Sequence, residues 1–279
     1  MKKYPISLAL LALFLTFSCK KTNSGGGSSS SDPNSTYLSS VISYSPQQKL
    51  VDSFSYDSLH RLIQFSQYDY DSTSGGPEYY SSTVDFTYQD NATSPTRYVY
   101  SDTLLGSYDD IHILSYDGQG RITKDTSYSG SGFVTYYSYP NNNPAATVLF
   151  EGTADDNQID TLFLTNGNVG SEHIYTSNIP GQPDVLDGDV QYGFSSTANP
   201  AYHTSITNSI GPLLSILEID GFGGFIDFIS QNAVNKLSGI ANGLPPGTVL
   251  NYTLNNDTRG RLSKMTFVGA AGGIIFNYY

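Results

Sequence analysis

Residues 115–128 read SYDGQGRITKDTSY: a Tyr-Asp pair, a short polar turn, an arginine, then a run that alternates in polarity. Asp opens turns because its carboxylate accepts from backbone amides just ahead of it. Gly120 supplies the positive φ that a tight reversal needs. Alternation on both flanks is the mark of half-buried strands. The string reads as a β-hairpin, with Arg121 able to reach back across the loop to Asp117. Two other segments align with it on their arginines, SFSYDSLHRLIQFSQY (53–68) and TLNNDTRGRLSKMTFV (253–268). Asp57 and Asp257 stand four residues before Arg61 and Arg261, as Asp117 stands before Arg121. Gly260 repeats Gly120, and His60 takes that place in the first copy. These residues are assigned as structural turns, because the hairpin accounts for the motif without a ligand.

A second signature recurs between the first. FTYQDNATSP (86–95), YSYPNNNP (137–144) and YGFSSTANP (192–200) each run from an aromatic strand into a polar, Asn-containing loop that ends in Pro. The Asp-to-Arg pattern resembles the YD repeat, a Tyr-Asp hairpin unit of large bacterial wrapping proteins, and residues 115–139 are its closest copy. Over roughly residues 40–279 the chain resembles cell-envelope lipoproteins of the Bacteroidota that carry degenerate YD, or RHS-like, repeats. The fold implied is all-β and mainly antiparallel, a large curved meander or incomplete barrel built from β-hairpins.

Composition agrees with a sheet: 23 Tyr and 14 Phe but no Trp, with 14% charged residues. Further strands are expected at 79–88, 97–102, 109–116, 133–139, 146–151, 159–165, 248–254, 261–268 and 273–279. One stretch departs from this, SIGPLLSILEIDGFGGFIDFISQNAV (209–234). Its apolar spacings of three and four predict one or two short helices near 209–231, broken at Gly221–Gly224. A formal net charge of −12 repels nucleic acid and anionic membrane surfaces, so no nucleic-acid partner is expected.

At the N-terminus Lys2 and Lys3 precede an apolar stretch from Ile6 to Phe17, and Ser18-Cys19 closes it. This is the layout of a secretory signal, too short to span a bilayer. Cys19 is the only cysteine, which excludes a disulfide framework. A cysteine in this place resembles the lipobox of bacterial lipoproteins, with Ser18 fitting and Thr16 and Phe17 departing from the pattern. The resemblance implies a signal peptide over 1–18, a lipidated Cys19 and flexible Gly/Ser linker over 19–36, and one β-rich domain over 37–279. The protein is then exported and held by lipid, at the outer membrane of a diderm bacterium.

Chemistry is harder to find. Four scattered histidines show no metal spacing, and no nucleophile or phosphate-loop motif occurs, so no cofactor is expected and no catalytic residue is assigned. The acids of DVLDGD, Asp184, Asp187 and Asp189, offer oxygen ligands for calcium around Gly188 without following the twelve-residue loop pattern. Asp109–Asp110 and Asp155–Asp156 are the paired acids a glycosidase would need. The Tyr runs YDYD (68–71), EYY (78–80), YYSY (136–139) and NYY (277–279) have two readings. They form a stacking platform for sugars, or they simply serve both faces of a sheet. The leading expectation is a non-enzymatic binding or scaffold module whose partner is a glycan or an envelope protein. The alternatives are a polysaccharide hydrolase using an Asp pair, and a lipid carrier or localisation factor whose apolar concavity is covered by 209–234.

Overall fold

The computed structural model describes residues 37–71, 78–102, 108–128, 134–139, 147–151, 157–166, 168–177, 185–200, 231–240, 248–269 and 271–279. Sixteen strands occur among them. They are β1 (Leu38–Tyr44), β2 (Gln48–Tyr56), β3 (Leu62–Asp71), β4 (Glu78–Tyr88), β5 (Pro95–Asp102) and β6 (Tyr108–Tyr116). β7 (Ile122–Ser127), β8 (Val134–Ser138), β9 (Thr147–Glu151), β10 (Asn157–Thr165) and β11 (Asn168–Ser177) follow. β12 (Val185–Ala198), β13 (Asn232–Ile240), β14 (Thr248–Asn256), β15 (Leu262–Phe267) and β16 (Gly273–Tyr278) complete the order. Each pairs antiparallel with its neighbours in sequence, the all-β antiparallel meander that the hairpin reading implies. β1 also pairs with β16, from Leu38↔Tyr278 to Tyr44↔Gly273, so the meander closes into a barrel.

Alternation decides which side chains face inward. On β2, Leu50, Asp52 and Phe54 are buried, while Lys49 and Ser53 are exposed. One apolar cluster gathers Phe54, Leu62, Phe65, Val84, Phe86, Tyr98, Leu114 and Ile122 with inward residues of the later strands. These lie toward the end of the barrel that carries the Asp-to-Arg turns. Farther along the same inner face the residues become polar: Asp52 pairs across with Gln67, Leu50 with Asp69, and Tyr100 with Asp110.

The register also exposes a plan that residue spacing alone hides. The barrel divides into quarters of four strands, β2–β5, β6–β9, β10–β13 and β14–β16 with β1. Each quarter opens on a turn, and the strand after next carries an aromatic-x-aromatic triplet at or toward its end: Phe86–Tyr88, Tyr137–Tyr139, Tyr192–Phe194 and Phe276–Tyr278, the third followed by four more residues of β12. In the third quarter the opening turn is different. Thr165 pairs with Asn168 there, across a two-residue link begun by Asn166 at φ 52°. This missing Asp-to-Arg copy is why the arginines sit 60 and then 140 residues apart.

From Val185 onward DVLDGD lies in β12, the longest strand among the described residues, where Ile174↔Gly188 and Tyr175↔Leu186 leave Asp187 as the extra residue of a bulge. The helices expected near 209–231 lie outside the described residues, except that Gln231 is described and Asn232–Val234 begin β13.

Candidate functional site

The three Asp-to-Arg turns are near copies of one another in three dimensions. The Asp amide donates to the Arg carbonyl oxygen at 3.0, 2.9 and 2.8 Å in turn order, and the residue before each Arg donates back to the Asp carbonyl. That residue is His60, Gly120 or Gly260, at φ 59°, 79° and 81°. The Asp carboxylate accepts from the amides two and four residues on, and from the Arg Nε at 2.7–2.8 Å. Each guanidinium adds a second contact through NH2 to the same Oδ2, while Oδ1 takes the backbone amides. Arg61 also donates to the carbonyls of Asp90 and Ala92, tying its turn to the next one at that end.

Above each guanidinium lies a tyrosine from the triplet of the following hairpin. Arg61 stands 4.4 Å from the centroid of Tyr88, Arg121 4.2 Å from Tyr139 and Arg261 4.0 Å from Tyr278. The hydroxyls of Tyr88 and Tyr278 donate to the carbonyls of Leu62 and Leu262, directly after the arginines. Burial pushes these three phenols up, and the nearby guanidinium only partly opposes it. At Asp57 and Asp257 burial works against the charge. It is outweighed by the amide and guanidinium of the arginine and by the amide two residues on, so both carboxyls sit below their ordinary range. The Arg121 amide is the largest influence on Asp117, in the same direction. The assembly is an architectural clamp whose donors and acceptors are turned on one another.

A second constellation lies on the inner face. Tyr98 donates to Asp125 Oδ2 at 2.6 Å, and His112 Nδ1 stands 2.7 Å from the Tyr98 oxygen and 2.8 Å from Asp125 Oδ1. The far side of the ring, His112 Nε2, lies 3.3 Å from Asp110 Oδ2, while Ser127 donates to Asp110 Oδ1 at 2.6 Å. The Tyr98 and His112 rings are stacked at 4.2 Å. Burial, then the Asp125 carboxylate, hold the Tyr98 phenol well above its ordinary value. Register brings these residues together, since Tyr98 faces His112 across β5–β6 and His112 faces Ser127 across β6–β7. Sequence reading set His112 aside for lack of metal spacing. The usable signal was the inward alternation of Asp110, His112 and Leu114.

The acid pairs fare differently. Asp109 and Asp110 are neighbours on a strand, so they point to opposite faces: Asp109 accepts from Ser101 and Asp110 from Ser127. As a pair they do not converge on one bond. Asp155 and Asp156 lie outside the described residues, as do Cys19, Asp184 and the side chain of Asp187. Asp189 accepts from Gln191 at 2.8 Å and stands 3.6 Å from His173 Nε2. Among the described residues no group of three or more His, Cys, Asp or Glu side chains is placed to hold a metal ion.

No protein-family model matches the chain, and no curated protein matches it. Solved structures do. A porin-like protein from Bacteroides uniformis is 12% identical with a TM-score of 0.54, over 87% of this chain and 98% of that one. A porin-like protein from Bacteroides vulgatus is 8% identical with a TM-score of 0.39, over 87% and 98%. The structure of TcdB2-TccC3-TEV is 12% identical with a TM-score of 0.30, over 82% of this chain and 12% of that one. The first likeness is one of fold; the other two, at their lower scores, add nothing to it.

Proposed function

We propose that the chain is an extracytoplasmic envelope module, tethered by lipid at Cys19, that binds a partner or acts as a scaffold. The observation that carries this is the polarity of the barrel wall. A barrel that crosses a bilayer needs an outward apolar band about 25 Å tall, flanked by aromatic girdles. Here the outward positions of β2 are Lys49, Val51, Ser53 and Ser55, and those of β4 include Ser81, Thr83, Asp85 and Thr87. On β5 they are Arg97, Val99 and Ser101, and on β14 Asn251, Thr253 and Asn255. An arginine or lysine on the lipid face costs roughly 2–4 kcal/mol at the midplane. Outward positions of this kind, mostly hydroxyls, amides and charges, are suited to water, and the large apolar cluster lies on the inner face. The porin-like name of the Bacteroides uniformis protein therefore carries over to this chain as a barrel of the envelope, without a pore in lipid. Membrane attachment falls to the cysteine.

Palmitate labelling of cells, wild type against Cys19→Ala, tests this. The wild type should carry the label in the membrane fraction, and the variant should lose it and appear in the soluble fraction. Label that survives the substitution, or an unlabelled variant that stays in the membrane, would contradict the tether. One observation favours a second reading, a hydrolase: Asp110 and Asp125 both converge on His112. Both carboxylates are engaged by Ser127 and Tyr98. The second reading requires polysaccharide cleavage by the wild type that is lost in Asp125→Asn.

A further inference from the structure

The YDYD stretch divides across the wall. Tyr68 pairs with Val51 and Tyr70 with Lys49, which puts both tyrosines outward, while Asp69 pairs with inward Leu50. Followed from strand to strand, these outward positions form two rows. One runs Tyr70, Lys49, Tyr44 across β3–β1. The other runs Tyr68, Val51, Ile42, Ile275, Lys264 across β3, β2, β1, β16 and β15. Tyr68 is 42% exposed, and Lys264 Nζ lies 5.7 Å from the centroid of the Tyr44 ring, which links the rows. Beyond them the wall turns to hydroxyls and amides, where Asn277 donates to Ser40.

Charge is segregated here. The chain carries a net −12, yet none of the described outward positions in the two rows is an acid and two are lysines. On β2 and β3 the acids Asp52 and Asp69 face inward, Asp52 being fully buried, while Asp85 of the neighbouring β4 lies outward. Strands lie about 4.8 Å apart, so the half-buried Tyr44 and Tyr70, two strands apart, lie roughly 10 Å from one another on the outer face. Flat rings beside a cation at that spacing suit an extended sugar chain bearing carboxylates. Pyranose faces stack on the tyrosines, and the carboxylates meet Lys49 and Lys264.

We infer that the outer wall formed by β15, β16, β1, β2 and β3 is a docking surface for an acidic polysaccharide of the uronate type. This rests on the reading of the chain as a binding module and names its ligand class and its site. Polygalacturonate and a neutral dextran are the probes, each cast into native gels through which the full-length protein is run in detergent. Wild type should be retarded by polygalacturonate and not by dextran, and the retardation should fall as salt is raised. Lys49→Gln with Lys264→Gln should raise the apparent Kd at least tenfold with an unchanged melting curve. Tyr68→Ser with Tyr70→Ser should do the same, and Lys124→Gln, a lysine elsewhere on the wall, should change it less than twofold. Equal retardation by dextran, or none by polygalacturonate, overturns the inference. Retardation that survives both lysine changes also overturns it, while leaving a glycan-binding module whose site is elsewhere. Palmitate labelling is independent of all these outcomes.

Discussion

In the quarter β2–β5, Arg61 is paired with Asp57, stacked under Tyr88 and bonded to two carbonyls of the next turn. In the quarter β10–β13 there is no arginine to stack, the opening turn is the short link at Asn166, and the triplet ends in Phe194 where the other three end in Tyr. Backbones approach closely between β12 and β13 of the third quarter, as they also do at Gly272 and Gly273 in the clamped fourth. A Cβ on Gly239, at φ 125°, would run into the carbonyl oxygen of Asp189, and one on Gly193 would meet the Lys236 Cβ at 3.0 Å. The comparison separates what the barrel requires from what it decorates. The four-strand plan survives loss of the clamp, and the tyrosine hydroxyl is missing from the quarter that also lacks the arginine beneath it.

The most damaging test of this contrast is Gly239→Ala. The new methyl has backbone on one side and a disfavoured φ on the other, so the melting temperature should fall by roughly 8 °C or more. A change under about 2 °C would mean that β12 and β13 do not approach so closely.

Acid pH should act on the clamped quarters alone. Asp57, Asp117 and Asp257 are held below their ordinary value of 3.8, so their contribution is complete above that value and is lost as pH falls through the lowered one. Thermal melts should therefore drop steadily below about pH 4. Changing all three to Asn should flatten that limb while the neutral-pH melting temperature falls. An acid limb that is unaltered in the triple variant would assign it to other carboxylates.

The smallest effect is the sharpest comparison. Tyr278→Phe removes the donor to the Leu262 carbonyl and should cost about 2–4 °C. The reverse change in the third quarter, Phe194→Tyr, should gain nothing, because no guanidinium lies beneath it. A stabilisation of Phe194→Tyr equal to the loss in Tyr278→Phe would show that the hydroxyl works without the clamp.

Much of the meander could be read from the residues because it is local. Asp, a positive-φ residue and Arg at fixed offsets define a turn by themselves, and short Tyr-rich or apolar runs place β4, β5, β6, β8, β9 and β10 within a few residues of their observed bounds. The third quarter was harder. Asp187 and Gly188 are turn formers by preference, and only pairing with β11, which absorbs Asp187 as a bulge, makes them strand. The stacking of each arginine was not legible, since its tyrosine lies 27, 18 or 17 residues further on, in another hairpin. The His112 constellation has the same cause, as Asp125 comes from the neighbouring strand. In both cases the partners are chosen by register across the sheet.

Closure by β1 and β16 underlies the quarters, the inward core and the outer stripe alike. Ser40 and Asn277 are Cα partners across that seam, and their side chains already meet at 2.9 Å. Cysteines at both positions, in a Cys19→Ala background, should oxidise to an intramolecular bond that joins the two ends of the domain and speeds migration in a non-reducing gel. Free thiols under the same oxidation, or only intermolecular dimers, would mean that the first and last strands are not neighbours and that the barrel is open.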